Sequence, residues 1–346
     1  MSHSPLRLRI DADAFVANWR WLARASGRAA CGAAIKADGY GIGAVETMRR
    51  LATAGCRDFF VATWAEARAL APWPEALSVA VLHGVGVDEL GDALALPARP
   101  VLSSPAQVAR WRQAAPGRAC DVMLDTGMNR LGLAVGDITR GLLADLEIDT
   151  FMSHLSSADE DVSLNRRQRD LFAGVAGMVR CRRLSLANSA GICLGPDYGF
   201  DLTRPGLALY GGVPRPEAAG HIAQVVHAEA QVVQRRRIGA GEGVGYNATF
   251  VAERAAELAI VNLGYADGYL RGFSGSGRAF FDGAELPVVG RVSMDLTTLA
   301  VDTAPQLKEG DWVAIDLDLP RAAAQSGLSQ YELLTTLGRR YQRVWS

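Results

Sequence analysis

The feature that most constrains the fold of this chain is the alternation of eight short apolar runs with helical segments between residues 31 and 204. Repeated strand–helix units of this kind imply parallel strands joined by helical crossovers. Eight units predict a (β/α)8 barrel of the TIM type, for which about 200 residues are a compact fit. The predicted strands are Ala33–Ile35, Phe59–Ala62, Val79–Leu82, Pro100–Leu102, Val122–Leu124, Phe151–Ser153, Leu184–Ala187 and Phe200–Thr203.

A doubly wound open sheet is the alternative arrangement of such units. Its phosphate-binding fingerprint, Gly-X-Gly-X-X-Gly, does not follow the first predicted strand, and this favours the barrel. The sequence therefore predicts an α/β chain whose barrel domain spans residues 1–225.

A mainly β domain is expected over residues 226–346, where β-branched or apolar runs are separated by Gly, Asp and Asn. One helix, from about Ser329 to Leu337, closes this domain. Leu6–Ile10 also has the pattern of a strand, which could join either domain. The strands predicted in the second domain are Gln231–Arg236, Leu258–Leu263, Pro287–Val292, Thr297–Val301 and Trp312–Ile315.

Composition argues against several classes of function. The 346 residues are 49% hydrophobic and 21% charged with a net charge of -1, which is typical of a globular enzyme and not of a nucleic-acid-binding protein. Without a membrane-length apolar stretch or an apolar signal region, the chain is expected to be cytoplasmic. The five cysteines are scattered and include no Cys-X-X-Cys, so we predict neither a disulfide framework nor a metal site.

Lys36 is the first candidate for chemistry because it ends the first apolar run and is followed at once by glycines and Tyr40. The chain has 36 lysines and arginines, but only Lys36 and Lys308 are lysines, and Lys308 lies in a plausible surface turn. Desolvation against apolar walls lowers the pKa of a lysine and makes its amine a usable nucleophile or base. The alternative is a lysine that extends from a strand end into solvent.

Other polar residues also follow the predicted strands, at the end where barrel enzymes carry out chemistry. These are His83, the segment Asp125–Arg130, His154, Asn188 with Ser189, and Arg204.

Pro205-Gly206-Leu207 comes directly after the last predicted strand, so this segment predicts a helix start with exposed backbone N–H groups. Its position beside Ser189 matches the phosphate site of many barrels and implies a phosphorylated ligand. A capped tight turn is the alternative.

Eight motifs then occur in a fixed order, and with them the chain resembles the alanine racemases, which are barrel-type (fold-type III) enzymes of pyridoxal 5'-phosphate. Each motif alone is weak, but the ordered set spans both predicted domains. The motifs are Ala-Ile-Lys-Ala-Asp-Gly-Tyr-Gly (34–41), Asp-Thr-Gly-Met-Asn-Arg-Leu-Gly (125–132), Met-Ser-His-Leu-Ser-Ser-Ala-Asp (152–159), Ala-Asn-Ser-Ala-Gly (187–191), Arg-Pro-Gly-Leu-Ala-Leu-Tyr-Gly (204–211), Gly-Tyr-Asn-Ala-Thr-Phe (245–250), Gly-Tyr-Ala-Asp-Gly-Tyr (264–269) and Gly-Arg-Val-Ser-Met-Asp (290–295).

The resemblance implies racemisation of L- and D-alanine by two bases on opposite faces of the substrate. Lys36 would carry the cofactor as a Schiff base and act as one base, and Tyr246 of the partner subunit in a homodimer would be the other. Arg204 would face the pyridine nitrogen, and His154 would lie against the ring. The other implied cofactor-binding residues are Tyr40, Asn188, Ser189, Gly206, Leu207 and Tyr331; on the substrate side, Arg130 and the backbone of Met294 would meet the carboxylate, and Tyr265 would help to gate the entrance.

Physical chemistry agrees with these implied roles. Inversion at a carbon centre removes a proton from one face and returns one to the other, so two bases are expected. A tyrosine hydroxyl needs nearby positive charge to act as a base, and Arg204 and His154 are the candidates for that charge. An arginine does not readily release its proton to a pyridine nitrogen, so the ring stays a weak electron sink and side reactions are suppressed.

The sequence departs from the family pattern at four positions. A lysine that can be carbamylated often stands where this chain has Met123, so Arg130 must be held in another way. A histidine often stands in place of Ser185, and its loss shortens the polar relay behind Arg204. Asp38 and Ile42 replace an asparagine and a histidine near Lys36, and Asp38 adds a negative charge there.

Three other functions remain open at this point. A racemase of broad or serine preference has the same motifs, because pocket size depends on neighbours in three dimensions. A barrel-type decarboxylase would place its substrate cysteine and acidic residues differently. A non-enzymatic carrier of the cofactor would need neither Tyr246 nor Tyr265.

Overall fold

The computed structural model describes residues 4–346, which form two compact units. The barrel unit comprises residues 16–209 and 213–223, and the β unit comprises residues up to 15 together with 210–212 and 224–346. The strands up to residue 203 are β1 Leu6–Ile10, β2 Ala30–Cys31, β3 Ala33–Ala34, β4 Asp58–Val61, β5 Ser78–Val81, β6 Arg99–Leu102, β7 Cys120–Met123, β8 Ile148–Met152, β9 Arg183–Ser185 and β10 Leu202–Thr203. The later strands are β11 Val226–Ile238, β12 Gly243–Val244, β13 Phe250–Val251, β14 Ala256–Val261, β15 Arg278–Phe281, β16 Ala284–Pro287, β17 Thr297–Ala300, β18 Trp312–Ile315 and β19 Gln342–Trp345.

Most of the α-helices lie in the barrel unit, between its strands; the last two lie in the β unit. In chain order the helices are α1 Ala12–Ala25, α2 Lys36–Tyr40, α3 Ala44–Ala54, α4 Trp64–Leu70, α5 Leu90–Ala95, α6 Pro105–Ala114, α7 Val135–Thr139, α8 Ser163–Ala176, α9 Ser189–Cys193, α10 Leu319–Ser326 and α11 Gln330–Thr335. No helix within residues 4–346 is both long and apolar enough to cross a membrane.

The barrel unit contains a parallel sheet in which β3 to β9 are hydrogen-bonded in chain order. The eighth strand, β10, pairs in parallel with β2, one residue before β3. On its other side, the amides of Asp201 and Arg204 donate to the carbonyls of Leu184 and Ala187, at 3.0 and 2.8 Å. These bonds close the eight strands into a barrel, and each predicted run overlaps an observed strand, so the predicted fold is confirmed.

Local sequence signals explain where the barrel helices begin. Thr63 accepts the amide of Glu66 and Glu66 accepts the amide of Thr63, a capping box that starts α4. Ser104 caps α6 through the amide of Gln107, and Pro105 occupies the first helical position. The strands β4 and β7 are buried throughout, as expected when a parallel sheet is covered on both faces.

The β unit is organised around β11, a strand of 13 residues that pairs with β1, β14 and β18. Its residues alternate between buried and partly exposed along the first half, the pattern of a sheet with one covered face. The strand β1 lies between β11 and β19, so Leu6–Ile10 joins this unit.

Two predictions for the second domain are wrong, and one hairpin was not predicted. The predicted strand Pro287–Val292 does not form. The strand β16 ends at Pro287, the chain turns at Gly290 (φ +70°), and Val288 makes only a single bridge to Leu299. The unit has two helices near its end and not one, since Asp318 caps α10 ahead of α11. The hairpin of β15 and β16 was missed, although its turn, Asp282-Gly283, has the residues that such tight turns prefer.

Candidate active site

The predicted site residues divide between the two units. The barrel unit carries those that follow strand ends, and the β unit carries four on loops or at the start of a helix. The first group is Lys36, Tyr40, Arg130, His154, Asn188, Ser189, Arg204, Gly206 and Leu207; the second is Tyr246, Tyr265, Met294 and Tyr331.

Lys36 begins a turn of unusual hand at the carboxyl end of β3. The next four residues all have left-handed backbone angles, with φ of 53° at Ala37, 52° at Asp38, 62° at Gly39 and 52° at Tyr40. Only glycine adopts this region without penalty, and each other residue loses about 1–2 kcal/mol. The turn therefore has to be held by contacts outside itself.

Two carboxylates hold this turn. Glu66 Oε1 accepts the amide of Ala37 at 2.8 Å, and its Oε2 accepts the amide of Ala62 at 2.6 Å. Asp38 Oδ1 accepts the amide of Ala44 at 2.9 Å, at the first residue of α3. The substitution at Asp38 thus places a carboxylate at a helix N-terminus, where a negative charge is stabilised by the helix dipole.

The amine of Lys36 has a lowered pKa. Burial is the main cause, the positive charge of Arg130 adds to it, and the negative charge of Glu66 opposes it. The neutral amine is the form that attacks a carbonyl or accepts a proton, so this environment prepares Lys36 for either role.

Arg204 is buried at the end of β10. Its Nη1 donates to Ser185 Oγ, and its Nη2 donates to the carbonyl of Ser153 at 2.7 Å. Burial lowers the pKa of Arg204 to about 10, while the charge of Asp121 raises it. Ser185, which replaces the usual histidine, is therefore a direct partner of the guanidinium.

A β-bulge in β8 sets the position of Ser153. The pairing of β7 with β8 shifts register between Cys120 and Val122, and Asp121 Oδ1 accepts the amide of Thr150 at 3.0 Å in the gap. Bulges re-aim the residues that follow them and are common beside active sites. Asp121 thus acts on Arg204 both through its charge and through the strand that carries Ser153.

His154 follows the same strand, and its imidazole is neutral. Burial, together with the positive charges of Arg204, Arg130 and Lys36, lowers its pKa to about 3. A neutral His154 does not supply the positive charge that was expected to help Tyr246 act as a base. Lys36, Arg130, His154 and Arg204 all follow the carboxyl ends of parallel strands, so they lie at the same end of the barrel.

The segment after Arg204 and the start of α9 form a compact cradle. Ser189 Oγ accepts the amides of Gly206 and Ala208 at 2.9 and 3.3 Å. A side chain at Gly206 would collide with the hydroxyl of Tyr40, so the two groups are in close contact. Leu207 is buried in the same turn, whereas Asn188 uses its side-chain oxygen to cap α9 through Gly191.

Arg130 is exposed and makes neither a hydrogen bond nor an ion pair within residues 4–346. Its loop is shaped by Asp125 Oδ1, which accepts the amides of Gly127 and Met128, each at 2.9 Å. Met123 is buried and offers no polar atom from its side chain to Arg130 beyond a thioether. The structure therefore supplies no substitute for the missing lysine among the described residues.

Tyr246 stands on an exposed loop of the β unit, with 66% of its surface accessible. The loop has positive φ at Gly245, Asn247 and Ala248, so its backbone is constrained around the tyrosine. An exposed aromatic on a constrained loop is typical of a residue that meets a partner or a ligand.

Tyr265 and Met294 occupy neighbouring loops of the β unit. The amide of Tyr265 donates to Ser293 at 3.0 Å, and the amide of Ala266 donates to Met294 at 3.0 Å. The side chain of Met294 is 54% exposed and that of Tyr331, at the start of α11, is 44% exposed. The guanidinium of Arg271 lies over the ring of Tyr265, 5.4 Å from its centre.

Sequence reasoning missed three residues that shape the site. The signal for Glu66 was present, since Thr-X-X-Glu at 63–66 is a capping box, but its second contact with the Lys36 turn was not visible. Asp121 and Ser153 act through a bulge and a backbone carbonyl, and neither leaves a pattern in the sequence.

Comparison with known proteins identifies the family. The model of the alanine racemase N-terminal domain matches residues 10–214, and that of the alanine racemase C-terminal domain matches residues 225–345. An alanine racemase of Acidiphilium cryptum is 44% identical over 97% of this chain and 98% of that protein. A biosynthetic alanine racemase of Agrobacterium fabrum is 39% identical over 99% of this chain and 94% of that protein.

A solved structure agrees over the whole length. The crystal structure of alanine racemase from Bartonella henselae with covalently bound pyridoxal phosphate has a TM-score of 0.92 and 35% identity, and covers 100% of both chains. Both family models, the curated relatives and this structure lead to one conclusion: the chain belongs to the alanine racemase family.

Proposed function

We propose that this protein is an enzyme that interconverts L- and D-alanine with pyridoxal 5'-phosphate bound at Lys36. The observation that carries the proposal is a lysine amine of lowered pKa at the end of the barrel that also carries Arg130, His154, Arg204 and the cradle of Ser189 and Gly206. Relatives named alanine racemase cover nearly the whole chain, which supports the same reaction.

The residues of the barrel unit fit this cofactor. Lys36 has an amine that could react with the aldehyde of the cofactor. The phosphate would be held where Gly206 leaves room and where Ser189 and Tyr40 each have a hydroxyl group. Leu207 and, from the β unit, Tyr331 would complete that set. When bound, the cofactor withdraws electrons from the α-carbon of an amino acid and so makes its proton removable.

Arg204 would hold a proton at its guanidinium and donate to the cofactor's ring nitrogen. With a pKa of about 10 it stays charged at neutral pH, and it does not pass that proton to the ring. Ser185 and the carbonyl of Ser153 fix its orientation, and orientation of preformed donors is a large part of catalysis.

Lys36 and Tyr246 would be the two bases. The lowered pKa of Lys36 favours the neutral amine, which is the form that accepts a proton from one face of the α-carbon. Tyr246 of the partner subunit would act on the other face, and its exposure on a constrained loop supports a role outside its own fold. Arg130, Met294 and Tyr265 would bind the substrate carboxylate and line the entrance.

The first test is chiral analysis of L-alanine and L-serine incubated separately with the protein loaded with cofactor. We expect equal amounts of L- and D-alanine at equilibrium with little change in serine. Inversion of serine at a similar rate would mean a broad-specificity racemase. Retention of cofactor with no inversion of either would favour the carrier. Lys36→Ala should lower the racemase activity about 10³-fold or more. Lys308→Ala, which changes the only other lysine, should leave that activity unchanged.

Shared sites in a homodimer are tested by mixing two inactive variants, Lys36→Ala and Tyr246→Phe. If Tyr246 acts in the partner subunit, a mixed dimer holds one intact site, and random exchange restores about a quarter of wild-type activity. If Tyr246 acts in its own subunit, no mixed dimer has an intact site and activity stays at the level of the separate variants.

A further inference from the structure

Three loops of the β unit converge on one side chain, Arg340. Its Nε and Nη2 donate to the two oxygens of Asp267 at 2.6 and 2.7 Å, and its Nη1 donates to Asp295 at 2.7 Å. The loops comprise residues 264–268, 293–295 and 336–340, and we call their junction the Arg340 node. A planar guanidinium binds carboxylates in this two-pronged way with fixed geometry.

Asp267 is the buried centre of the node. Its side chain is completely buried, and its Oδ2 also accepts the amide of Gly264 at 3.0 Å. Among the described residues its only ion-pair partner is Arg340. Because an unpaired buried charge is costly, Arg340 stabilises the position of the loop that contains Asp267.

The backbones of the loops are interlocked as well. A side chain at Gly264 would overlap the carbonyl of Met294, and one at Gly268 would lie 2.8 Å from the carbonyl carbon of Thr336. The amide of Gly338 donates to the carbonyl of Asp267 at 3.1 Å. The three loops are therefore joined by backbone contacts as well as by Arg340.

Each loop carries or adjoins a residue of the proposed site. Tyr265 lies on the first loop and Met294 on the second, while α11, which begins with Gln330 and Tyr331, runs into the third. We propose that Arg340 is a positioning residue that fixes Tyr265, Met294 and Tyr331 relative to one another, a role that rests on the function proposed above. Arg340 itself would touch neither substrate nor cofactor.

The test is Arg340→Gln, with Arg339→Gln as its matched control. Arg339 is the adjacent exposed arginine and has no hydrogen bond or ion pair within residues 4–346. We expect kcat/KM for alanine to fall about a hundredfold in Arg340→Gln, mainly through KM, as for other misplaced substrate contacts. The cofactor's absorbance should stay unchanged, since Lys36 and Arg204 lie in the barrel unit. Its retention should weaken only slightly because, of the proposed phosphate contacts, only that of Tyr331 depends on Arg340. Arg339→Gln should stay within about twofold of wild type.

A double variant separates positioning from simple stabilisation. Asp267→Asn combined with Arg340→Gln removes the buried charge together with its partner, so the fold is spared an unpaired carboxylate. If Arg340 positions the loops, this variant keeps its thermal stability but not its activity. Recovery of kcat/KM along with stability would overturn the proposal, as would equal effects of Arg339→Gln and Arg340→Gln.

Hydrogen exchange gives a readout that does not depend on activity. The amides of Tyr265, Ala266 and Gly338 are bonded across the node and should exchange faster in Arg340→Gln and in the double variant than in Arg339→Gln. Unchanged exchange would overturn the proposal even in an active enzyme. Wild-type protein that does not invert alanine would refute the proposed function, while the exchange result would still report on the node.

Discussion

The two ends of the barrel both concentrate charge, but they handle it in opposite ways. At the carboxyl ends of the strands, Lys36, Arg130 and Arg204 have no ion pair with a carboxylate among the described residues. The carboxylates there, such as Glu66, Asp38 and Asp125, instead accept backbone amides.

At the amino ends of the strands the charges are paired. Arg99 bonds Asp121 at 3.1 Å and approaches Asp149 at 3.4 Å, while Arg183 bonds Asp58 at 2.9 Å and Asp149 at 2.7 Å. These side chains are largely buried, and all but Asp121 line a cleft of about 680 Å³.

The difference separates binding from stability within one barrel. Paired charges satisfy each other and leave little attraction for a ligand, whereas cations without carboxylate partners retain their attraction for a phosphate or a substrate carboxylate. The carboxyl ends of the strands are also where barrel enzymes place their chemistry. We therefore expect substitutions at the two ends to affect different measurements.

The largest effect is expected at the carboxyl end, from Arg204→Lys. A lysine keeps the charge but cannot bind Ser185 Oγ and the carbonyl of Ser153 and also donate to the cofactor's ring nitrogen, as proposed for Arg204. We therefore expect kcat to fall about 10³-fold. The measurement is kcat with saturating cofactor, compared with Arg99→Lys at the other end. Loss of kcat in Arg99→Lys and not in Arg204→Lys would reverse the comparison.

An intermediate effect is expected from Arg183→Gln. It leaves Asp58 and Asp149 partly buried without their shared partner, so the free energy of unfolding should fall by about 3 kcal/mol, measured in urea. Arg182→Gln is the matched control, because the side chain of Arg182 is 75% exposed and its bond to Asp149 should contribute less than about 1 kcal/mol. Equal losses in the two variants, or a fall in kcat with Arg183→Gln, would show that the amino end is not a purely structural network.

The smallest effect is on the acid sensitivity of unfolding. Burial alone would raise the pKa of Asp149, but Arg99 and Arg183 outweigh burial and lower it, so its stabilisation is lost as pH falls below about 4. Burial raises the pKa of Asp121 despite Arg99, so its protonation favours the folded state as pH falls. Asp149→Asn should therefore make the loss of unfolding free energy between pH 5 and pH 3 shallower, and Asp121→Asn should make it steeper, by at most about 1.4 kcal/mol per pH unit. Shifts of the same sign would contradict this assignment.

The barrel could be predicted because most of its strands are largely buried and contain short apolar runs, such as residues 59–61 in β4. In the β unit the signal is weaker. The two-residue turn Asp282-Gly283 was readable, but the end of β16 at Pro287 depends on a bend at Gly290 that apolar character does not reveal.

The candidate site was predictable as a set of residues but not as a set of environments. Lys36, Arg204 and Ser189 follow strand ends that the sequence located. The neutral state of His154 depends on burial and on three positive charges brought from other strands, and these add up only in the folded protein. The Arg340 node joins Arg340 to Asp267 and Asp295, which lie 73 and 45 residues away in sequence, so no local pattern could reveal it.

The pairing of β1 with β19 has a consequence for how the chain is made. The barrel unit has all of its strands once residue 203 has left the ribosome, but β1 must wait for β11 and for β19, which ends at Trp345. At typical rates of synthesis the wait from Ile10 to Trp345 lasts on the order of 20–70 s. Until β19 is made, β1 has at least one unpaired edge, and the cell must keep that edge from pairing with other chains.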